Sequence, residues 1–549
     1  MARRTGTGLR AAFAGSIALL ALVNSVARAV TPYDWPQFNG DARHSGSNTR
    51  ETVLSTANVG QLQQLFQVTL PAVADGAPAV LTSVSTGGGM KDLLFVNTKQ
   101  GRLIALDAHT GALVWTFQHG NTTCSGGGGP CVTPSSPAVD PGRSFVYAYG
   151  LDGNVHKHDV GTGAETTGGG WPETATVKPD VEKGSSALTV ATAHSGTSYL
   201  YVANSGYLGD GGNYQGHVTA INLASGAQNV FNAVCSNQTV HFVESGSPDC
   251  SSVQSGIWAR AGAVYDSDID KIFAVTGNGD FNPSSFFWGD SVFELNPDGT
   301  GSAGQPLDSY TPTNFQALQN ADVDLGSTAP LILPTPGGFP FSHVGVQSGK
   351  DGVLRLLNLD NLSNQGVGPA PGRTGGELAT VSLPSTPQVL TAPAAWVNPV
   401  DGSTWAFVAT GASISGYRLT ANGSNVTLTS QWVSATGGTS PIVANNVVYL
   451  AGSATIRAFS AVSGVQLWQA SIGGIHWESP VVANGVLYIM DEAAHLTAFT
   501  VPAPVAAVPA IPKVGLWLAA ASLMLLGLFA ARGRTRASEG RAFGAKISS

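Results

Sequence analysis

Eight times along the chain an apolar run ends in a tight turn and is followed by a second short run of strand-forming residues. The most regular copy begins at Leu94 and reads LFVNTKQGRLIALDAHTGALVWTF to Phe117. Its residues predict a strand, a turn, the strand Leu103–Asp107, a Thr110-Gly111 turn and a strand carrying Trp115. Further copies open at Phe145, Leu200, Lys271, His343, Trp405, Asn446 and Val486, roughly 40 to 70 residues apart. That period suits one four-stranded unit per repeat. Arranged radially, each unit packs its faces on its neighbours and leaves only short edges. The expected fold is therefore all-β, an eight-bladed β-propeller, with seven blades if one weak copy is not a blade. The segment ahead of the first copy is available to complete the last blade.

Composition agrees with strands joined by tight turns. Only 11% of the 549 residues are charged while glycine numbers 69, and no stretch keeps a helical period over three turns. A net charge of −8 without long charged runs leaves no basic footprint for nucleic acid.

Both ends differ from the body. Arg3, Arg4 and Arg10 precede the apolar stretch Ala11–Val26, and Ala27-Arg28-Ala29 fits the small-x-small cleavage rule, so residues 1–29 are expected to be a secretory signal peptide. Residues 30–500 form the propeller. Residues 501–513 are a Pro- and Ala-rich linker, and Val514–Ala531 is an apolar segment just long enough to span hydrocarbon as a single transmembrane helix. Arg532, Arg534 and Arg536 open a basic tail, residues 532–549, expected on the cytoplasmic side. This end resembles the C-terminal sorting signals of Gram-negative bacteria that begin Ile-Pro-Thr-Leu. Ile511-Pro512 is followed here by Lys513-Val514, so the motif is partly matched, and a plain membrane anchor is the other reading. Either way the body is exported, to the periplasm or the cell surface.

Export permits disulfides. The four cysteines fall into two close pairs, which suggests Cys124–Cys131 and Cys235–Cys250, each closing a loop; a metal site is the alternative. No CxxCH occurs, so covalent c-type haem is not expected. In the Asp-x-x-Thr-Gly turn, Asp107 can accept from the following amides and Gly111 can supply a positive φ. Trp115 and Trp468 follow that turn at the same offset and read as inter-blade packing.

The turn LIALDAHTGALVW resembles the tryptophan-docking repeat of pyrroloquinoline-quinone (PQQ) propellers, as do the opening Asp34-Trp35-Pro36-Gln37-Phe38-Asn39-Gly40-Asp41 and Asn58-Val59-Gly60-Gln61-Leu62. The resemblance covers about Asp34 to Phe499. It implies, for the quinoprotein alcohol dehydrogenases of this family, PQQ stacked on a Trp along the propeller axis. A Ca²⁺ or lanthanide ion bound by Glu, Asn and Asp polarises the quinone, and an Asp takes the alcohol proton. Four segments occur in the family's order. Gly256-Ile257-Trp258 matches the stacking Trp, and Thr276-Gly277-Asn278 matches the cation-ligating Asn. Asp322-Val323-Asp324-Leu325-Gly326 matches the catalytic Asp, here Asp322, with Asp324 as the extra acid of lanthanide-using members. Gly349-Lys350-Asp351-Gly352 matches the Lys that contacts the quinone carbonyls. The implied cation ligands are Asn278, Asp322 and Asp324.

Each residue also has a plainer reading. Trp258 can fill the channel, Asn278 can be a positive-φ turn residue between glycines, Lys350 can be a turn residue, and the two aspartates, alternating on an extended segment, can cap a solvated loop. The chain departs from the enzymes in having no Cys-Cys pair, and no Glu stands in Asn204-Ser205-Gly206-Tyr207-Leu208-Gly209-Asp210, where the family's Glu ligand is expected; Asp210 is the candidate stand-in.

Other chemistry has less behind it. His156 and His158 alternate on one strand, but no third metal ligand is evident along the sequence and they read as a surface pair. Gly126–Gly129 is not followed by Lys-Ser/Thr, so it is not a phosphate loop, and no serine nucleophile elbow occurs. Phe286-Phe287-Trp288 reads either as a shaper of the channel mouth or as inter-blade packing. Two functions follow: oxidation of a small alcohol or other hydroxylated substrate at PQQ, with a separate electron acceptor, or non-catalytic binding of a surface protein or polymer. Chemistry is expected on the irregular copies from Leu200, Lys271 and His343, not on the clean ones.

Overall fold

The computed structural model describes residues 31–502 apart from 121–122, 125–128, 208–210, 365, 367 and 385–387, together with Met524. The proposed signal peptide, Asp210 and all but one residue of the C-terminal apolar segment lie outside the described residues. Among the described residues no helix is long and apolar enough to cross a membrane.

Among the described residues, eight sheets of four or five strands follow one another along the chain, with two small two-stranded hairpins beside them, and the eight repeat openings fall on or just before the second strands of the eight. These are Gly89–Asn97, Phe145–Tyr149, Ser198–Gly206, Lys271–Val275, Val344–Gln347, Thr404–Ala409, Val447–Gly452 and Val486–Met490, in blades 1 to 8. Blade 8 takes its fourth strand, Gln63–Thr69, from the N-terminal side of the chain, paired with His495–Thr500. The ring is thus closed by the segment that precedes the first repeat. Blade 7 gains Ser47–Asn48 as a parallel addition to Ile442–Ala444.

Blade 1 shows why the regular sequence folds as it does. Asp107 Oδ1 accepts from His109 N (3.0 Å) and Thr110 N (3.1 Å), and Gly111 has φ +70°, which a residue with a Cβ adopts only at a cost. The chain therefore reverses into the Leu113–Gln118 strand. Trp115 then packs on Phe95 at 5.8 Å and donates from Nε1 to Val160 O of blade 2 (3.0 Å). Trp468 does the same at the ring closure, donating to Leu62 O (3.2 Å). Both tryptophans bind one blade to the next, as their shared offset predicts. The paired cysteines are also as expected: Cys124–Cys131 and Cys235–Cys250 are disulfides.

The plan of a blade decides where function can sit. Its four strands run up and down in turn. The turn from second to third strand and the connection to the next blade therefore emerge at the same end of the ring. Every residue of the axial site described next lies in one of these turns or connections, or at a strand end beside them.

Candidate functional site at one end of the ring axis

A cavity of about 310 Å³ is lined by Trp258, Asp322, Asp324 and Lys350, together with residues including Lys183, Arg260 and Trp477. Trp258 lies between blades 3 and 4, the aspartates between blades 4 and 5, Lys350 in a blade 5 turn, and Trp477 between blades 7 and 8. A cavity touched by connections from so many blades lies on the ring axis.

The four segments singled out in the sequence meet here. Asn278 Nδ2 donates to Asp322 Oδ1 and its backbone N to Asp324 Oδ1, each at 2.8 Å. Lys350 Nζ lies 2.5 Å from Asp324 Oδ2 and 3.3 Å from Asp322 Oδ1. Trp258 meets the Tyr214 ring edge-on at 5.9 Å. Gly277 makes this closeness possible: a Cβ there would stand 2.1 Å from Asp324 Oδ1 and 2.9 Å from Trp258 Cδ1. Only glycine lets the Asn278 strand end, the aspartate loop and the indole approach so closely.

Two local readings need correction. The aspartates do not alternate on an extended segment. The short helix Phe315–Asn320 ends just before them, Asp322 has φ +53°, and a 3₁₀ turn, Leu325–Ser327, follows. Asp322 is consequently 72% exposed at its side chain and Asp324 8%. They reach the same partners from different depths. Asn278, read as a turn residue, is not among the positive-φ residues; its conformation follows from its bonds to the two aspartates.

The electrostatics separate the groups. Burial pushes the Asp324 carboxyl above its ordinary value, against the pull of Lys350 and the Asn278 amide. Burial also works against the Lys350 charge, but its ion pairs outweigh this and hold the ammonium above the usual lysine value. Beneath the aspartate loop, buried Asp290 accepts from Leu325 N at 2.9 Å. Burial raises its carboxyl to about 7.

Sequence reasoning missed the rest of the cationic wall. Lys183 lies at the first strand of blade 3, with Nζ 5.8 Å from the Trp258 ring; burial lowers its ammonium to about 8. Arg260 is buried and donates to Ser185 O, Asp75 O and Pro134 O at 2.9–3.0 Å. Its position close to Trp258 in the same connection was a usable signal. Nothing in the local pattern around Lys183 marks it. Phe286-Phe287-Trp288 does not line the axial cavity. Trp288 is fully buried, with Nε1 donating to Ser236 Oγ at 2.8 Å, while Phe287 borders a neighbouring cavity with Phe281 and Phe315.

Residues 35–284 match the family model for the β-propeller domain of PQQ-type glucose, ethanol and alcohol dehydrogenases. No curated protein sequence matches the chain. Among solved structures, quinohemoprotein alcohol dehydrogenase ADHIIG of Pseudomonas putida HK5 is similar with TM-score 0.58 and 16% identity, over 87% of this chain and 82% of that one. A europium-containing methanol dehydrogenase gives 0.58 and 15%, over 86% and 98%. The quinohemoprotein alcohol dehydrogenase of Comamonas testosteroni gives 0.55 and 16%, over 87% and 82%. At these identities the likeness speaks for the fold alone, a β-propeller, with a PQQ-like propeller domain matched over residues 35–284.

Proposed function

We propose that the axial cavity is a PQQ site and that the protein is an exported quinoprotein dehydrogenase acting on an alcohol or other small hydroxylated substrate, passing electrons to a separate acceptor. The observation that carries this reading is the meeting of Trp258, Asp322, Asp324 and Lys350 on one axial cavity, with Asn278, from a fourth segment, bonded to both aspartates. The two disulfides accord with an oxidising compartment.

The residues fit the group. A planar quinone bearing carboxylates needs an aromatic face and cations; Trp258 supplies the face, and Lys183, Arg260 and Lys350 line the same wall. A hard cation, Ca²⁺ or a lanthanide, needs oxygen ligands. Asn278 Oδ1 is buried and without a hydrogen-bond partner, an acceptor a cation would satisfy, with Asp322 and Asp324 beside it. Where the family's Glu is expected, Asn204 is buried with its Oδ1 likewise unpartnered. Its backbone carbonyl accepts from Ile257 N, next to Trp258, at 3.2 Å.

When bound, the quinone supplies the acceptor for the two electrons of alcohol oxidation. The chain's part is proton handling and orientation. Asp322, open to solvent, is the base that takes the hydroxyl proton. Asn278 Nδ2 orients its carboxylate, and Lys350 pairs with the charge on both aspartates. Asp324, buried under Lys350, serves as an oxygen ligand.

Reconstitution of the purified protein with PQQ and Ca²⁺ or a lanthanide tests this, followed by quinone absorbance and dye reduction with primary alcohols. Stoichiometric uptake with alcohol-dependent dye reduction is expected. Absence of quinone binding at micromolar cofactor sinks the proposal and leaves a non-catalytic propeller that binds a protein or polymer.

A further inference from the structure

His156 and His158 are not a surface pair. They are 5% and 0% exposed, and the fold brings His119, from the connection after blade 1, against them. His119 Nε2 and His158 Nε2 lie 2.9 Å apart, and Glu165 offers a carboxylate oxygen within 4.8 Å of both. We propose that His119, His158 and Glu165 form a binding site for a divalent transition ion of Zn²⁺ type, clipping blade 1 to blade 2.

Three features carry the proposal. First, the spacing is close to what the ion needs. Two imidazole nitrogens on a tetrahedral Zn²⁺, each at about 2.0–2.1 Å, stand about 3.3 Å apart, so the pair need open by only a few tenths of an ångström. Second, the outer contacts orient the ligands. His158 Nδ1 faces Gly163 O at 2.8 Å. A carbonyl only accepts, so Nδ1 carries the proton and Nε2 presents a lone pair to His119. His156 meets Glu165 Oε1 at 2.6 Å and Asp152 Oδ1 at 3.1 Å through its two ring nitrogens. It holds Glu165 by one oxygen and leaves the other available.

Third, the site is shielded. The His119 ring stacks on His156 at 3.8 Å, and Phe117 covers His158 at 4.8 Å. The sequence could not reveal this site, because its members lie on two blades and the nearest ligand to the histidine pair is Glu165, past a turn.

The test uses the full chain, stripped with a chelator and titrated with Co²⁺. One equivalent with an intense tetrahedral visible spectrum, displaced by Zn²⁺, is expected. It should be lost in His119→Ala and in the half-buried Glu165→Gln, with circular dichroism showing both variants folded. It should persist in Asp324→Asn, which reports on the axial site, and in His476→Ala, which disrupts the other carboxylate–histidine group at Asp75 and Glu492. Zn²⁺ should also raise the melting temperature of the native chain and not of His119→Ala. Absence of Co²⁺ binding, or binding that survives both His119→Ala and Glu165→Gln, overturns the proposal.

Discussion

In blade 1 the second and third strands are joined by the short turn 98–101, whereas in blade 4 the long segment 276–291 separates Lys271–Val275 from Val292–Leu295. Both blades have four strands in the same order. Blade 1 spends its residues on strands of up to nine residues and on a tryptophan that locks the next blade. Blade 4 has strands of three to five residues and carries Asn278 where its second strand ends, with Asp290 further along the same loop. Regularity builds the ring; departure from it builds the loop that holds the two aspartates of the axial cavity. A β-propeller tolerates the departure because the altered loops emerge at one end while the sheets keep their register.

If this division holds, substitutions in the two blades should fail in different assays. The largest effect is expected for Asp322→Asn in the connection after blade 4. Dye reduction should fall about 10³-fold, equivalent to about 4 kcal/mol, with quinone uptake and melting temperature unchanged. Loss of folding instead would show that the aspartate is structural. The opposite pattern is expected for Phe95→Ala in blade 1, fully buried beside Trp115. It should lower stability by about 4 kcal/mol in denaturant titrations while quinone affinity per folded molecule stays the same. Replacing Cys235 and Cys250 together by Ser opens a link across 15 residues and should cost about 3 kcal/mol. Equal melting curves with and without reductant would contradict that figure.

The smallest effect concerns charge. Glu294, on the third strand of blade 4, is 8% exposed, and burial, with Asp308 nearby, raises its carboxyl to about 7. The folded state therefore holds a proton that the unfolded chain has lost above about pH 4.5, so this group's contribution to stability falls as pH rises from about 4.5 to 7. Glu294→Gln removes that loss. The variant should match the native protein near pH 4 and exceed it by roughly 2–3 kcal/mol at pH 8. A difference independent of pH would mean that the carboxylate is solvated in the folded protein.

Fold and site were unequally legible. The blades could be read because a strand pair, an Asp-x-x-Thr-Gly turn and a docking tryptophan are local, and locality repeats. Trp258, Asn278, Asp322 and Lys350 could be found through a family resemblance, not through their neighbours in the chain. The same resemblance could not foresee that Asp322 would sit in a left-handed turn and Asp324 beneath Lys350. That follows from the short helix Phe315–Asn320, whose six residues give too weak a periodic signal. Lys183 and the His119 contact escaped for another reason. Both depend on which blades become neighbours at one end of the ring, a property of closure and not of any window of sequence.

The Gln63–Thr69 strand pairs with His495–Thr500, more than four hundred residues later. A nascent chain therefore cannot complete its ring until nearly all of the propeller has been made, and such non-local pairing is slow to form. Until then the earlier blades form an open arc with the Gln63–Thr69 segment waiting for its partner. A truncation before His495 should strand the product in that state.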